Sequence, residues 1–351
     1  MPPLPPNLSQ AGLLRSKSGW NNSSLSRRSN TIRGLLSTRT PQSTGNSGGG
    51  IPNPSLGIGV ISEAMPKGAT GSWVPRPISL ARPVGPVVAT ITVGEAPSVL
   101  ALDAGNNRLY VVNSGTGTVS VINTTSQAVI STINVGVNPR SLALDAGNNR
   151  LYVTNSVTGT VSAINTSDYT DIRTINVGEA PSLLALDAVN NRLYVVNSGT
   201  SDSAGTVSAI NTSDYTDIST INVGVNPFVL ALDAVNNRLY VVNFVQGLTS
   251  TVSVINTTSQ AVISTINVGI LPQGLALDAD NDRLYVANTG GFEGEVWGTT
   301  VTAINTTNYA DISTINVGEA PFALALDADN DRLYVSNVLA GTVSVIDTTR
   351  V

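Results

Sequence analysis

The residues able to do chemistry in this sequence are few, because its 351 residues include no histidine and no cysteine. That removes the usual general base, the Ser-His-Asp arrangement and the imidazole metal ligand. It also removes disulfides, thiolate zinc sites, iron–sulfur clusters and the cysteine nucleophile. Acid–base work is left to carboxylates, and the best-placed set is Glu95, Glu179 and Glu319 with Arg140. A paired-carboxylate mechanism needs two acids roughly 5–10 Å apart. The second candidate chemistry is cation binding at two Asp-x-Asp-x-Asp runs, Asp278-Asp280-Asp282 and Asp327-Asp329-Asp331. Alternate carboxylates open calcium loops, but the central glycine and closing bidentate acid of such loops are missing. No metal and no cofactor is therefore expected.

What positions these residues is a repeat. The pattern Pro-x-x-Leu-Ala-Leu-Asp ends at Asp103, Asp145, Asp187, Asp233, Asp278 and Asp327, at intervals of 42, 42, 46, 45 and 49 residues. Five residues after each Asp stands an arginine: Arg108, Arg150, Arg192, Arg238, Arg283 and Arg332. Leu-Tyr-Val-x-Asn follows each time. The apolar residues are β-branched or Leu, and Gly, Asn, Ser and Thr punctuate them, which is strand-and-turn chemistry. The first copy predicts strands at Val99–Asp103, Arg108–Asn113, Thr118–Asn123 and Ala128–Gly136. Leu109 and Val111 face one way and Tyr110 and Val112 the other, so both sheet faces are apolar and both must be covered. Four-stranded units of this length are the mark of propeller blades.

The fold class expected is thus all-β: a six-bladed β-propeller of four-stranded blades over residues 87–351. The last copy lacks its fourth strand, while Val87–Gly94 matches the fourth-strand pattern Ile-Asn-Val-Gly without a blade of its own. Pairing the two would close the ring and remove its open edges. Residues 1–86 differ in kind. They hold 12 of the 18 prolines and carry a net charge of +8, against −13 for the remainder. This stretch reads as a basic Pro/Ser/Gly-rich arm, mostly disordered. Within it Leu25, Ile32, Leu35 and Leu36, with Arg27, Arg28 and Arg33, have the pattern of a short basic amphipathic helix. Neither a membrane-spanning run nor a cleavable signal peptide is recognisable.

Tyr152-Val-Thr-Asn155, with Tyr-Val-Val-Asn, Tyr-Val-Ala-Asn and Tyr-Val-Ser-Asn in the other copies, resembles the YVTN β-propeller repeat family across about residues 87–351. The resemblance implies a surface-layer-like or extracytoplasmic binding propeller, commonly of seven blades, where this chain offers six copies. It implies no particular chemistry.

Features shared by every copy are explained by architecture. Asp and Arg flanking each first turn are placed to pair across the hairpin, or the Asp to bond turn amides. Asn-Thr-Thr or Asn-Thr-Ser at Asn123, Asn165, Asn211, Asn256 and Asn305 reads as an Asx-turn, with Asp347 in the sixth place, although the same triplets are glycosylation acceptors. Features that vary point to function. The loop between the second and third strands has four residues in copies one, two and six, but eight, seven and eleven in copies three, four and five. These insertions account for all the variation in repeat length and share a face with the inter-blade linkers. Insertions confined to one face mark a binding face. Phe228, Phe244, Phe292, Phe322 and Trp297 belong to it, as do Arg140, Glu95, Glu179 and Glu319.

The function expected is a non-catalytic surface or structural protein, extracellular or on a cell, spore or virion surface. It would bind a protein or carbohydrate partner, or a copy of itself, through this face, tethered by the basic arm, which could also join copies into an oligomer or fibre. A carboxylate-dependent, lactonase-like propeller enzyme is the alternative. A propeller of charge −13 without lysine repels phosphate, so no specific nucleic-acid partner is expected.

Overall fold

A computed structural model describes residues 87–199, 204–245, 248–291, 296–310 and 312–351; the basic arm and Phe292 lie outside them. Six antiparallel sheets follow one another along the chain, five of four strands and one of three. Blade one comprises β1 (Pro97–Asp103), β2 (Arg108–Asn113), β3 (Thr118–Asn123) and β4 (Ala128–Asn134). Blade two holds β5 (Pro139–Asp145), β6 (Arg150–Asn155), β7 (Thr160–Asn165) and β8 (Ile172–Asn176). Blade three is β9 (Pro181–Asp187), β10 (Arg192–Asn197), β11 (Ala204–Asn211) and β12 (Ile218–Val225). Blade four is β13 (Pro227–Asp233), β14 (Arg238–Asn243), β15 (Thr249–Asn256) and β16 (Ala261–Ile270). In blade five, β17 (Pro272–Asp278) and β18 (Arg283–Gly290) precede β19 (Trp297–Asn305) and β20 (Ile312–Asn316). Blade six ends after β21 (Pro321–Asp327), β22 (Arg332–Asn337) and β23 (Thr342–Asp347). Apart from two single 3-10 turns, the described residues form no helix, and none is long and apolar enough to cross a membrane.

The two-faced apolar pattern is used as the strand period requires. On blade one, Tyr110, Val112, Val119, Val121 and Ile133 form a trailing face that buries against Leu142, Leu144, Leu151, Val153 and Ile164, the leading face of blade two. The next three seams repeat this pairing with their own Tyr, Val and Leu residues, and a fifth joins blades five and six. Each seam removes a tyrosine and several aliphatic side chains from water, at about 1.5–3 kcal/mol for each aliphatic side chain fully buried.

Inside each blade a buried asparagine ties the strands together. Asn243 Nδ2 donates to Thr251 Oγ1 at 3.1 Å and Ser253 Oγ at 2.9 Å, joining β14 to β15. Its Oδ1 accepts from the backbone N–H of Gly224 at 3.0 Å, in the strand that arrives from blade three. Asn155 makes the same three bonds in blade two, to Thr160, Ser162 and Gly136. The glycine is required by this approach: a Cβ on Gly136 would lie 2.5 Å from Asn155 Cγ.

Two expectations are corrected. Of the two readings of the first turn, the ion pair does not form, although Asp and Arg are cross-strand partners, while the bond from a turn amide to the Asp does. The carboxylate of Asp103 is taken by the backbone N–H and Nδ2 of Asn106, and Asp145, Asp187 and Asp233 behave alike. The arginines turn elsewhere, Arg150 to Asp171 at 3.0 Å and Arg192 to Asp217 at 2.7 Å. Second, Val87–Gly94 does not complete blade six, which remains three-stranded. The segment has no strand pairing; Val87 and Val88 are exposed, and no packing like that at the other seams joins β21 to β1. The Asx-turn reading agrees with the structure: Asn123 Oδ1 accepts from the amides of Thr125 and Ser126, and Asp347 from that of Thr349.

Asn243→Ala strands two hydroxyls and an amide that are now paired, and is expected to lower stability by roughly 2–3 kcal/mol. Asn256→Ala, at an exposed turn, should cost under about 1 kcal/mol. Denaturant midpoints of the two variants check the difference.

Candidate functional site

The linkers and the second-to-third-strand loops do share one face, and backbone hydrogen bonds hold them together. Gly115 N–H donates to the Glu95 carbonyl at 3.0 Å, Ser156 N–H to that of Asn138 at 3.2 Å and Gly199 N–H to that of Glu179 at 3.1 Å. The inserted loops are partly folded as strand extensions: β18 and β19 continue past Asn288–Thr300 to a Gly290–Trp297 pair. Gly290 adopts φ 77°, a conformation that favours glycine.

Around this face, in blades one to four, the residue after the linker proline meets the residue that follows the buried asparagine. Ser98 Oγ lies 3.0 Å from Ser114 Oγ, and Ser198 Oγ donates to Ser182 Oγ at 3.1 Å. In blade two the pair is Arg140 and Ser156, with Nε donating to Oγ at 3.4 Å. In blade four it is Phe228 and Phe244, edge to face with centroids 6.3 Å apart. Such a pair contributes about 0.5–1.5 kcal/mol beyond its buried area. Phe228 also packs against the seam between blades four and five, so part of its role is structural. Burial lowers the Arg140 pKa, and among the described residues no carboxylate forms an ion pair with it. Trp297 and Phe322 are half-buried in blades five and six.

The carboxylates do not converge. Glu95, Glu179 and Glu319 are exposed, and no group of three or more acidic side chains able to hold a metal forms among the described residues. Glu95 and Glu319 lead into blades one and six, which do not pack together, so the pair expected to be neighbours round the ring is not assembled. At the Asp278 turn, both carboxylate oxygens accept from Asn281 Nδ2, as those of Asp327 do from Asn330.

The opposite face carries a polar cavity of about 360 Å³ between blades two and three, lined by Asp145, Arg150, Tyr152, Arg173, Asp214 and Tyr215 among others. Tyr152 Oη lies 3.4 Å from Tyr215 Oη, and the rings stack edge to face at 6.4 Å. The Arg173 guanidinium stands 5.9 Å from the Tyr215 ring centre. Sequence reasoning did not single this place out. Its signal was there: the last turn reads Asp-Tyr-Thr-Asp in copies two and three, Asn-Tyr-Ala-Asp in copy five, and Ser-Gln-Ala-Val in copies one and four. The substitutions are coupled across blades. Where Val129 and Val262 replace the acid, Arg108 and Arg238 donate instead to Tyr169 and Tyr309 of the following blade, at 3.3 and 2.7 Å.

Fold and site together define an all-β, propeller-like protein. Residues 164–266 match the model of the family described as lactonase, 7-bladed beta-propeller. No curated protein gives a significant match. Hydrazine synthase of Kuenenia stuttgartiensis is similar in structure, with a TM-score of 0.60 at 19% identity over 75% of this chain and 80% of that one. A functionally unknown protein from Desulfotomaculum acetoxidans gives 0.51 at 15% identity, over 68% of this chain and 78% of the other. At these identities the likeness concerns the fold alone. The matched family is seven-bladed, while six sheets are formed here.

The buried tyrosines give the structure a pH signature. Burial raises the phenol pKa of Tyr110, Tyr152, Tyr194 and Tyr240 above the ordinary value of 10, and pushes that of Tyr285 up to about 12. Above pH 10 the unfolded chain ionises these phenols while the folded one keeps them protonated. Their contribution is therefore whole below about pH 10 and lost as pH rises through the folded values, by up to about 1.4 kcal/mol per pH unit per tyrosine. Denaturant midpoints should hold steady from pH 7 to 9 and fall steeply above 10, with a shallower fall in Tyr285→Phe.

Proposed function

We propose that this chain is a non-catalytic binding propeller whose working surface is the linker face. The observation that carries this is the Phe228–Phe244 pair, set on the same face as Trp297 and the half-buried Arg140, which has no carboxylate partner among the described residues. Aromatic rings supply rigid contact area, and with a cation and exposed glutamates they suit a carbohydrate or a protein partner. The basic arm is the tether that holds the propeller at an acidic surface, and the setting is extracellular or on a cell, spore or virion surface. Residues repeated in every blade serve the architecture, which leaves the varied residues of this face for recognition.

A second reading, a lactonase-like enzyme, is favoured by the family match over residues 164–266. Under it Glu95, Glu179, Glu319 and Arg140 are the acid–base set at the channel mouth, and the spread of the glutamates counts against it.

Two measurements separate the readings. The full chain is titrated calorimetrically against neutral oligosaccharides and basic peptides, and so is the Phe244→Ala/Trp297→Ala variant. Binding by the parent that weakens at least tenfold in the variant supports the linker face; equal binding by both removes it. Lactone hydrolysis is followed as acid release at constant pH. Turnover above the spontaneous rate that is lost in Glu95→Gln/Glu319→Gln would replace the binding reading with the enzymatic one.

A further inference from the structure

Among the described residues nothing covers the two ends of the blade series. On blade six Tyr334, Val343 and Val345 are 39%, 43% and 56% exposed, whereas Tyr240, Val252 and Val254 at the same places on blade four are buried completely. On blade one Leu100 and Leu102 are 60% and 61% exposed, although their counterparts Leu142 and Leu144 pack into the first seam. Repeat arrays that end in solution carry polar capping units. Here the end surfaces keep the apolar residues that mate at the five internal seams. One is a trailing face and the other a leading face, and among the described residues neither has a mate. They are complementary by construction.

The backbone agrees. Among the described residues β23 pairs with β22 alone and is an edge strand, the exposed edge that native sheets normally cover or blunt. Ile91–Gly94 meanwhile occupies the place of a fourth strand whose other three strands are missing. Thr92, Val93 and Gly94 line a cavity of about 370 Å³ with Thr118, Ser120 and Thr132, residues of the leading side of blade one. A Cβ on Gly94 would meet the Asn113 side chain at 2.8 Å, as one on Gly136 would meet Asn155 at 2.5 Å. The linker ahead of blade one thus approaches its asparagine as closely as the later linkers do, although Asn113 Oδ1 is left buried without a partner among the described residues.

We infer that the blade to which Ile91–Gly94 belongs is blade six of a second copy of the same chain. The trailing face of one copy docks on the leading face of the next, and Val87–Val93 of the next copy adds to β23 as its fourth strand. By the register of Val121 with Ser131 in blade one, Ala89 would lie opposite Val345. The occupant is a second copy because the surface required is a leading face with its strand attached, which each copy presents, while among the described residues no seam like the other five joins blades one and six of one chain. The contact is heterologous, so it repeats from copy to copy and yields rings or filaments. This inference rests on the open seam and is independent of the linker-face reading.

Light scattering on the full chain over a concentration series tests it. Mass is expected to climb above the 36.2 kDa of a single chain as concentration rises. Val345→Asp blocks one end of every copy and Leu102→Asp the other, so each variant alone should stay at the single-chain mass. An equal mixture of the two should form a one-to-one pair and nothing larger. A parent chain at single-chain mass throughout, or variants that do not combine, would overturn the inference. Because the chain has no cysteine, a second measurement is independent of the Asp variants. Mild oxidation of mixed Ala89→Cys and Val345→Cys chains should give dimers joining one chain of each kind. Absence of such mixed dimers, with closure into a linked single chain when one molecule carries both cysteines, would show that the strand serves its own blade six.

Discussion

The buried asparagine closing each Tyr-Val-x-Asn is the interaction on which the rest depends. An amide has two donors and an acceptor pointing in different directions, and this one uses them on different elements. Its nitrogen ties the second strand to the third, and in blades two, four and five its oxygen takes the amide of the glycine arriving from the blade before. In those three blades one side chain thereby fixes both the register within a blade and the distance to its neighbour, whereas Asn113, Asn197 and Asn337 make the strand-to-strand bonds while their oxygen is buried without a partner among the described residues. Because the amide is buried, every unmade bond would be costly. The glycine is the other half of the device, since any side chain there would occupy the space of the asparagine.

From that anchor the packing follows. Once linker and second strand are fixed, period-two alternation turns tyrosine and valine toward the following blade and leucine toward the preceding one. A unit built this way is apolar on both sides and is stable only between two others. The five seams satisfy this requirement for four of the six blades, and the outer faces of blades one and six are left with the same requirement unmet. The rule that makes the blades stack is also the reason the ends are adhesive.

The two rims of the blades are made by different physics. On the linker rim the backbone of loop and linker is hydrogen-bonded, with Ser114, Ser198 and Thr289 donating to the Pro139, Pro227 and Pro321 carbonyls of the next blade, and the insertions, the phenylalanine pair and Arg140 collect there. On the other rim the side chains do the joining. Asp103 and its counterparts hold their own turns, and the arginines choose between an acid on the same blade and a tyrosine on the next. Exposed pairs such as Arg150–Asp171 add only about 0–1 kcal/mol. Their consequence is the shape of the polar cavity under Tyr152 and Tyr215.

The strand positions, the two-faced blades, the Asx-turns and the common face of linkers and insertions could be read from the repeat alone, because each rests on local chemistry repeated six times. Arg150 offers the contrast. Its place opposite Asp145 was legible, but its partner Asp171 was not, because sequence spacing reports which backbones are adjacent and not where a long side chain finds the better acceptor. The coupling of Arg238 to Tyr309 was likewise hidden, since it joins residues 71 apart on different blades. Val87–Gly94 was recognisable as a fourth strand from its residues, yet whether it meets β23 depends on where two distant blades come to lie. The sequence by itself determined the blade and both of its apolar faces, because alternation and turn chemistry act within a few residues. Among the described residues the first and last faces stay apart, which no local pattern could report, because it depends on how six blades stack one after another.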